Sequence, residues 1–115
     1  MGSDDCLFCG IVAGAIPSER IDSDESTVAF MDINPATPGH ALVVPRRHSR
    51  DLLEIEHDDL AAAAIAAQRL AKRMKEVLDA DGVNLINACG AAAWQTVFHF
   101  HIHVVPRYED DPLKL

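Results

Sequence analysis

The residues best suited to chemistry lie in one short run, His99-Phe100-His101-Ile102-His103-Val104-Val105. In a strand, alternate side chains point to opposite faces. His99, His101 and His103 then share one face, and Phe98, Phe100, Ile102 and Val104 share the other. Neighbouring imidazoles would stand about 6.6 Å apart along the strand. The apolar face must cover a core, which gathers three groups that titrate near neutral pH on the opposite side. A merely solvated face would carry Lys, Thr, Glu or Ser. Two chemistries compete for such a row. Histidines two apart can chelate one zinc ion, although a catalytic zinc would still need a third protein ligand and a general base. Alternatively, one imidazole attacks phosphorus while the others position and charge the phosphate. Gln95-Thr96, just upstream, favours the second, because an amide and a hydroxyl suit phosphoryl oxygens. A separate pair, Cys6-x-x-Cys9, has the spacing of a metal or redox site. Redox is the weaker reading, since no strand precedes the pair.

Elements of known type must position these groups. Apolar residues at Leu7, Phe8, Ile11 and Val12 have helical spacing, ended by Gly14 and Pro17. A short strand is expected at Arg20-Ile21 and another over Thr27 to Asp32, closed by the turn signal Asn34-Pro35. Pro38-Gly39 is a second turn, and the apolar run His40 to Pro45 reads as a buried strand. From Asp58 to Asp79 alanine dominates and Pro and Gly are absent. That pattern predicts a helix of roughly 33 Å, with Leu60, Ala64, Ala67, Ala71, Met74 and Leu78 on one face and Gly82 as its C-terminal cap. Val83 to Ala88 and Val97 to Val105 read as strands, separated by a small-residue loop at Gly90 to Ala93. The order gives an α+β domain with an antiparallel sheet.

The chain of 115 residues, 49% apolar and 24% charged, fits one globular domain over 1–115, with 1–5 expected to be disordered. A formal charge of −8 argues against binding a nucleic-acid polymer, which requires a basic face. A single nucleotide is not excluded, because one pocket can be locally basic. No apolar run approaches the ~18 residues that span a bilayer, so no membrane association is expected. The start lacks the regions of a secretory signal and misses the myristoylation pattern at Cys6, which points to the cytoplasm. Three cysteines are too few for a disulfide scaffold, and Cys89 reads as buried packing.

The run Trp94-Gln95-Thr96-Val97-Phe98-His99-Phe100-His101-Ile102-His103-Val104-Val105-Pro106-Arg107 resembles the histidine-triad (HIT) signature. The stretches Phe30 to Pro35, Pro38 to His48 and Asn84 to Asn87 agree in spacing and order, and the likeness is to the bacterial HINT-like branch. It implies a HIT fold of about five antiparallel strands, one long helix and a short N-terminal helix. It also implies residue roles. His101 would be the nucleophile, His103 would donate to phosphate oxygens, and His40 would orient the catalytic imidazole. Asp32 would accept the ribose hydroxyls, Ile33 and Phe8 would flank a purine, and Asn87, Gln95 and Thr96 would contact the phosphate or leaving group.

Cys6 and Cys9 need two more ligands for tetrahedral zinc, and His48 and His99 are the candidates that relatives of this kind suggest. His99 would then be a ligand to a structural zinc rather than a catalyst, and no catalytic cofactor would be required. The implied activity is hydrolysis or transfer at the α-phosphate of purine nucleoside phosphoramidates or related adenylates. A dinucleoside polyphosphate hydrolase and a nucleotide-binding scaffold with vestigial catalysis are the alternatives. A homodimer is expected, with the Ala-rich helix and a sheet edge at its interface. One residue departs from the pattern: Trp94 stands where the family usually has Gly, and its indole is expected over the leaving-group side of the pocket.

Overall fold

The computed structural model describes residues 6–113, so the expectation for 1–5 lies outside the described residues. The chain forms helix α1 (Leu7–Val12), strands β1 (Arg20–Ser23), β2 (Thr27–Met31) and β3 (Ala41–Pro45), helix α2 (His57–Val77), and strands β4 (Gly82–Ile86) and β5 (Ile102–Arg107). The five strands pair antiparallel in the order β1-β2-β3-β5-β4. This is the α+β architecture expected, with one long and one short helix. Among the described residues no helix is long and apolar enough to cross a membrane.

The sheet separates two cores. On one face Ala29, Val43, Phe100, Ile102 and Val104 pack under α2; on the other Val28, Phe30, Leu42 and Val44 pack under α1 through Phe8 and Ile11. β2 and β3 are therefore buried on both faces, which is why their sequences read as continuous apolar runs. Small side chains let α2 sit close to the sheet. Its buried stripe is Ala63, Ala66, Ala67, Leu70 and Met74, while Ala64 is exposed and Leu78 half-exposed. Of the expected stripe, Leu60, Ala67, Ala71 and Met74 do face the sheet, while Ala64 and Leu78 fall at its margin and Ala63, Ala66 and Leu70 widen it. In a segment where almost every position is alanine or long and polar, several faces satisfy the same spacing, and only contact with the sheet chooses between them.

The helix also ends differently. Asp79, at φ 53°, takes the left-handed position after the last turn, and Met74 C=O accepts from Leu78 N–H at 3.0 Å and Ala80 N–H at 3.4 Å. This is a Schellman-type ending, and an acidic residue occupies the place glycine usually takes. Gly82 instead opens β4.

The strand expected over Val97 to Val105 begins only at Ile102 and runs on to Arg107. Val97 to His99 bend. Their segment is fastened by Phe100 N–H to Ser49 C=O at 2.7 Å and by side-chain bonds from Gln95 and His99. Pro106 does not stop the strand, because β3 ends its pairing at Ala41 opposite Val104 and no bond from a residue 106 N–H is required beyond it. The alternation holds from Phe100 onward. Phe98 breaks from it: it is 38% exposed, with the Arg50 guanidinium 5.3 Å above its ring.

Trp94 stands in the left-handed region at φ 76°, with 87% of its surface exposed. The indole does not lie over the cleft described below, contrary to expectation. An L-residue there carries about 1–2 kcal/mol of strain that glycine avoids, partly offset by glycine's greater freedom when unfolded. Trp94→Gly is expected to raise the thermal midpoint by roughly 2–4 °C in a circular-dichroism melt. An unchanged or lower midpoint would mean that the indole makes stabilising contacts elsewhere.

Candidate active site

Two of the three triad histidines, His101 and His103, emerge from the β5 end on the α1 side, and His40 meets them from the neighbouring start of β3. The Pro38-Gly39 turn sets His40 in place. Gly39 has φ +93°, a conformation L side chains rarely adopt, and a Cβ there would also crowd Leu78 Cδ1, so glycine is favoured beneath the end of α2.

Hydrogen bonds assign the tautomers. Ala36 N–H donates to His40 Nδ1 at 2.9 Å, so neutral His40 carries its proton on Nε2. That proton faces His103 Nδ1 at 3.0 Å, which leaves His103 with Nε2–H as a free donor. His101 Nδ1–H donates to the His99 carbonyl at 2.8 Å, leaving an unpaired Nε2 on a side chain that lines a cleft. Asn87 Nδ2 donates to the His101 carbonyl at 2.9 Å and holds the same residue from the other side. Its Oδ1 is buried with no partner among the described residues.

The electrostatics keep these rings neutral. Burial pushes His101 and His40 below the usual histidine range, against the opposing pull of Asp32. Burial, with His101 and His40 close by, pushes His103 down to about 4. A histidine that binds its proton less tightly when folded stabilises the native state fully above its unfolded pKa of ~6.5, and that contribution is lost as pH falls toward 4. The thermal midpoint is therefore expected to fall between pH 6.5 and 4, less steeply in His103→Gln. Parallel pH profiles for the two proteins would remove His103 from this account.

The cleft measures about 280 Å³ and is lined by Phe8, Phe30, Asp32, Ile33, Thr96 and both histidines, among others. Phe8 is buried, edge-on to His101 with ring centroids 5.0 Å apart. It serves the α1-side core as well as the cleft wall. Ile33 is 88% exposed at the rim. Asp32 divides its oxygens: Oδ1 accepts from Asn34 N–H at 2.9 Å, and Oδ2 lies 3.5 Å from His40 Nε2. Thr96 lies in the cleft wall. Gln95 is placed otherwise, for its amide is spent on the backbone: Oε1 accepts from Gly90 N–H at 2.8 Å, and Nε2 donates to Arg50 and Val97 carbonyls. It braces the loop that carries Thr96.

Asp32, His40 and His103 also bring three ligand atoms close together. A cation on His40 Nε2 would force a proton onto Nδ1, against the Ala36 N–H, or require an imidazolate. Ala36, His40 and His103 instead form a proton-ordered hydrogen-bond chain, with Asp32 beside it. The Ala36 amide gave no signal in the sequence, because any non-proline residue carries one.

The second cluster has the opposite chemistry. Cys6 and Cys9 lie on α1 and its entry, His48 follows β3, and His99 lies before β5, with one ligand atom from each within 4.8 Å of the others. Sγ of both cysteines stands 3.4 Å from His99 Nδ1, and Cys9 Sγ and His99 Nδ1 each stand 3.3 Å from His48 Nδ1. Tetrahedral zinc with bonds of about 2.0–2.3 Å needs ligand separations of this size. His99 Nε2–H donates to the Pro45 carbonyl at 2.8 Å, so its Nδ1 presents a bare lone pair to the cluster. The donor set fits zinc. Without a metal, burial and the neighbouring Cys6 push the Cys9 thiol up to about 11. Cys89 is only half-buried, not enclosed as expected.

Comparison with known proteins agrees with this geometry. The HIT domain pattern matches residues 13–110. An uncharacterised HIT-like protein of Mycoplasma genitalium is 41% identical over 104 residues, covering 90% of this chain and 74% of that one. The protein hit of Bacillus subtilis is 39% identical over 107 residues, 92% of this chain and 73% of the relative. Among solved structures, a zinc-bound histidine triad family protein from Mycobacterium smegmatis superposes with a TM-score of 0.94 at 45% identity, covering 99% of this chain and 83% of that one. A HIT family hydrolase from Legionella pneumophila gives 0.78 at 35% identity, with 87% and 90% covered. With the family pattern over most of its length and such relatives on both sequence and fold, this chain belongs to the HIT family.

Proposed function

We propose that the protein hydrolyses or transfers at the α-phosphate of purine nucleoside phosphoramidates or related adenylates, through a nucleotidyl intermediate on His101. The observation that carries this reading is the tautomer order: an unpaired Nε2 on His101 beside a free Nε2–H on His103. His101 Nε2 attacks the α-phosphorus, the P–N bond to the leaving group breaks, and the amine departs with a proton from solvent. The His99 carbonyl, accepting from Nδ1–H, supports the charge that the ring gains. His103 Nε2–H donates to a non-bridging oxygen as charge shifts there. Water then adds to phosphorus, the P–Nε2 bond breaks, and the monophosphate and a proton leave. Asp32 Oδ2 takes a ribose hydroxyl, Phe8 and Ile33 flank the purine, and Thr96 meets the phosphate or leaving group, while Asn87 steadies His101 through its carbonyl.

Zinc at Cys6, Cys9, His48 and His99 is part of this reading. A bound zinc would supply a structural tie and holds the thiols deprotonated, in keeping with a reducing cytoplasm. The expected homodimer is supported by β4 lying at a sheet edge and by Ile65 and Val77 exposed on α2; a monomer mass by light scattering would remove it. The deciding assay is release of adenosine monophosphate from adenosine 5′-phosphoramidate. Faster turnover of a diadenosine polyphosphate would transfer the assignment to polyphosphate hydrolysis, and binding without turnover of either would make the protein a scaffold.

A further inference from the structure

Seven arginines are spread over this chain, and six have hydrogen-bond partners within it. Arg47, Arg69 and Arg107 bond carboxylates at 2.8–3.0 Å, and Arg20, Arg46 and Arg73 bond backbone carbonyls. Among the described residues Arg50 is the one guanidinium with no hydrogen bond. Its nearest carboxylate oxygen, on Asp51, stands 3.8 Å away, and the other oxygen of that group accepts the Leu53 and Glu54 N–H groups.

Arg50 is nonetheless held in place. Its carbonyl accepts from Gln95 Nε2 at 2.9 Å, and its guanidinium lies over the Phe98 ring. It borders a groove of about 470 Å³ whose wall includes Leu7, Thr96, Val97 and Phe98. Leu7, Thr96 and Val97 also line the cleft that contains His101, so the groove continues the cleft past Thr96. Asp32 and Ile33 line the cleft but not the groove. A ligand with its ribose at Asp32 and its phosphorus at His101 therefore has this groove open to whatever departs from phosphorus. Cys6 and His48 of the candidate zinc cluster also line the groove; with Cys9 and His99, two thiolates and two neutral imidazoles would offset the charge of a bound zinc. Arg50 then supplies the cation at the groove wall, in a chain of net charge −8.

We propose that Arg50, seated on Phe98, is a specificity-determining residue of a leaving-group subsite and selects leaving groups that carry an anion. The inference rests on the nucleotidyl-transfer reading above and deepens it by naming the substrate class. The anion has two chemical sources. One is the carboxylate of an amino acid joined to phosphorus through nitrogen; the other is the distal phosphate of a dinucleoside polyphosphate. A guanidinium can receive either, and pairs a planar carboxylate at two points.

The test is a pair of ratios measured on the full zinc-loaded chain. The first compares kcat/KM for the adenosine 5′-phosphoramidate of glycine with that of glycinamide, which differ only in the anion. The second compares diadenosine tetraphosphate with adenosine 5′-phosphoramidate. Wild type is expected to favour the glycine conjugate by about fivefold, the size of a partly exposed ion pair, and Arg50→Gln to bring that ratio to about one. Arg73→Gln removes the same charge elsewhere and is expected to keep the ratio. A collapse of the second ratio alone assigns the anion to a phosphate and sustains the subsite. Ratios equal in wild type and Arg50→Gln, or a uniform fall on every substrate, overturn it. Turnover of unsubstituted phosphoramidate with no anion preference sinks the subsite and leaves nucleotidyl transfer standing. No turnover of any conjugate sinks both.

Discussion

Replacing His101 with alanine is expected to lower turnover of adenosine 5′-phosphoramidate by at least about 10⁴-fold, while the nucleotide still binds. The residue is well buried but makes only one side-chain hydrogen bond, to the His99 carbonyl, and its carbonyl is held through Asn87 rather than through the ring. Removing the ring therefore deletes the attacking nitrogen without dismantling the relay formed by Ala36, His40 and His103. Nucleotide affinity, measured by calorimetry with adenosine monophosphate, is expected to change little, because the ribose and base contacts proposed above fall to Asp32, Ile33 and Phe8. A variant that retains more than a few per cent of wild-type turnover would remove His101 as nucleophile. A variant that no longer binds would leave the chemistry to be tested by trapping the phosphorylated imidazole in wild type.

Zinc is expected to copurify with wild type at about one ion per chain and to be lost from Cys9→Ala. The ligands come from three separate places, and the metal would fasten α1 to both the end of β3 and the segment leading to His101. Its contribution to stability follows mass action. At free zinc a hundredfold above the dissociation constant, the native state gains about 2.7 kcal/mol, or about 10 °C in the midpoint of a domain this size. Chelation of wild type is expected to produce the same fall as Cys9→Ala, so a folding defect peculiar to the variant can be recognised. Because Phe8 on α1 packs edge-on against His101, the metal-free protein is also expected to turn over more slowly. His101→Ala, by contrast, should keep its zinc. Protein free of metal when purified, with midpoint and turnover unchanged by chelator, would remove zinc from the account.

Much of the fold was legible because its signals are local. Continuous apolar runs marked β2 and β3, alanine without glycine or proline marked α2, and Pro38-Gly39 marked the turn that presents His40. The site was legible for a related reason: alternating imidazoles and apolar residues make sense only if one side covers a core. The errors fall where long-range contact overrides local pattern. Alternation extended the last strand backward to Val97, yet β5 pairs with β3 only from Ile102 onward; upstream of it the Phe100 N–H goes to the Ser49 carbonyl, beyond the end of β3. The helix face was found through Leu60, Ala67, Ala71 and Met74, but its width was missed, because alanine gives weak contrast between faces. Gln95 has the right chemistry for phosphate, and the loop takes up its amide instead.

The sequence by itself determined which groups are able to do chemistry, because residue type and spacing set what can titrate, ligate or attack. It also determined the element types, since helical and extended periodicities are properties of neighbouring residues. Only the tertiary structure decided how those groups are wired. The Ala36 amide that sets the His40 tautomer, the Pro45 carbonyl that bares His99 Nδ1, and the parting of the histidine row, with His99 among Cys6, Cys9 and His48 and the other two on the cleft, depend on residues far apart in the chain. A backbone amide or carbonyl is the same in every residue. Only the fold fixes which one faces an imidazole, and with it which nitrogen keeps a lone pair.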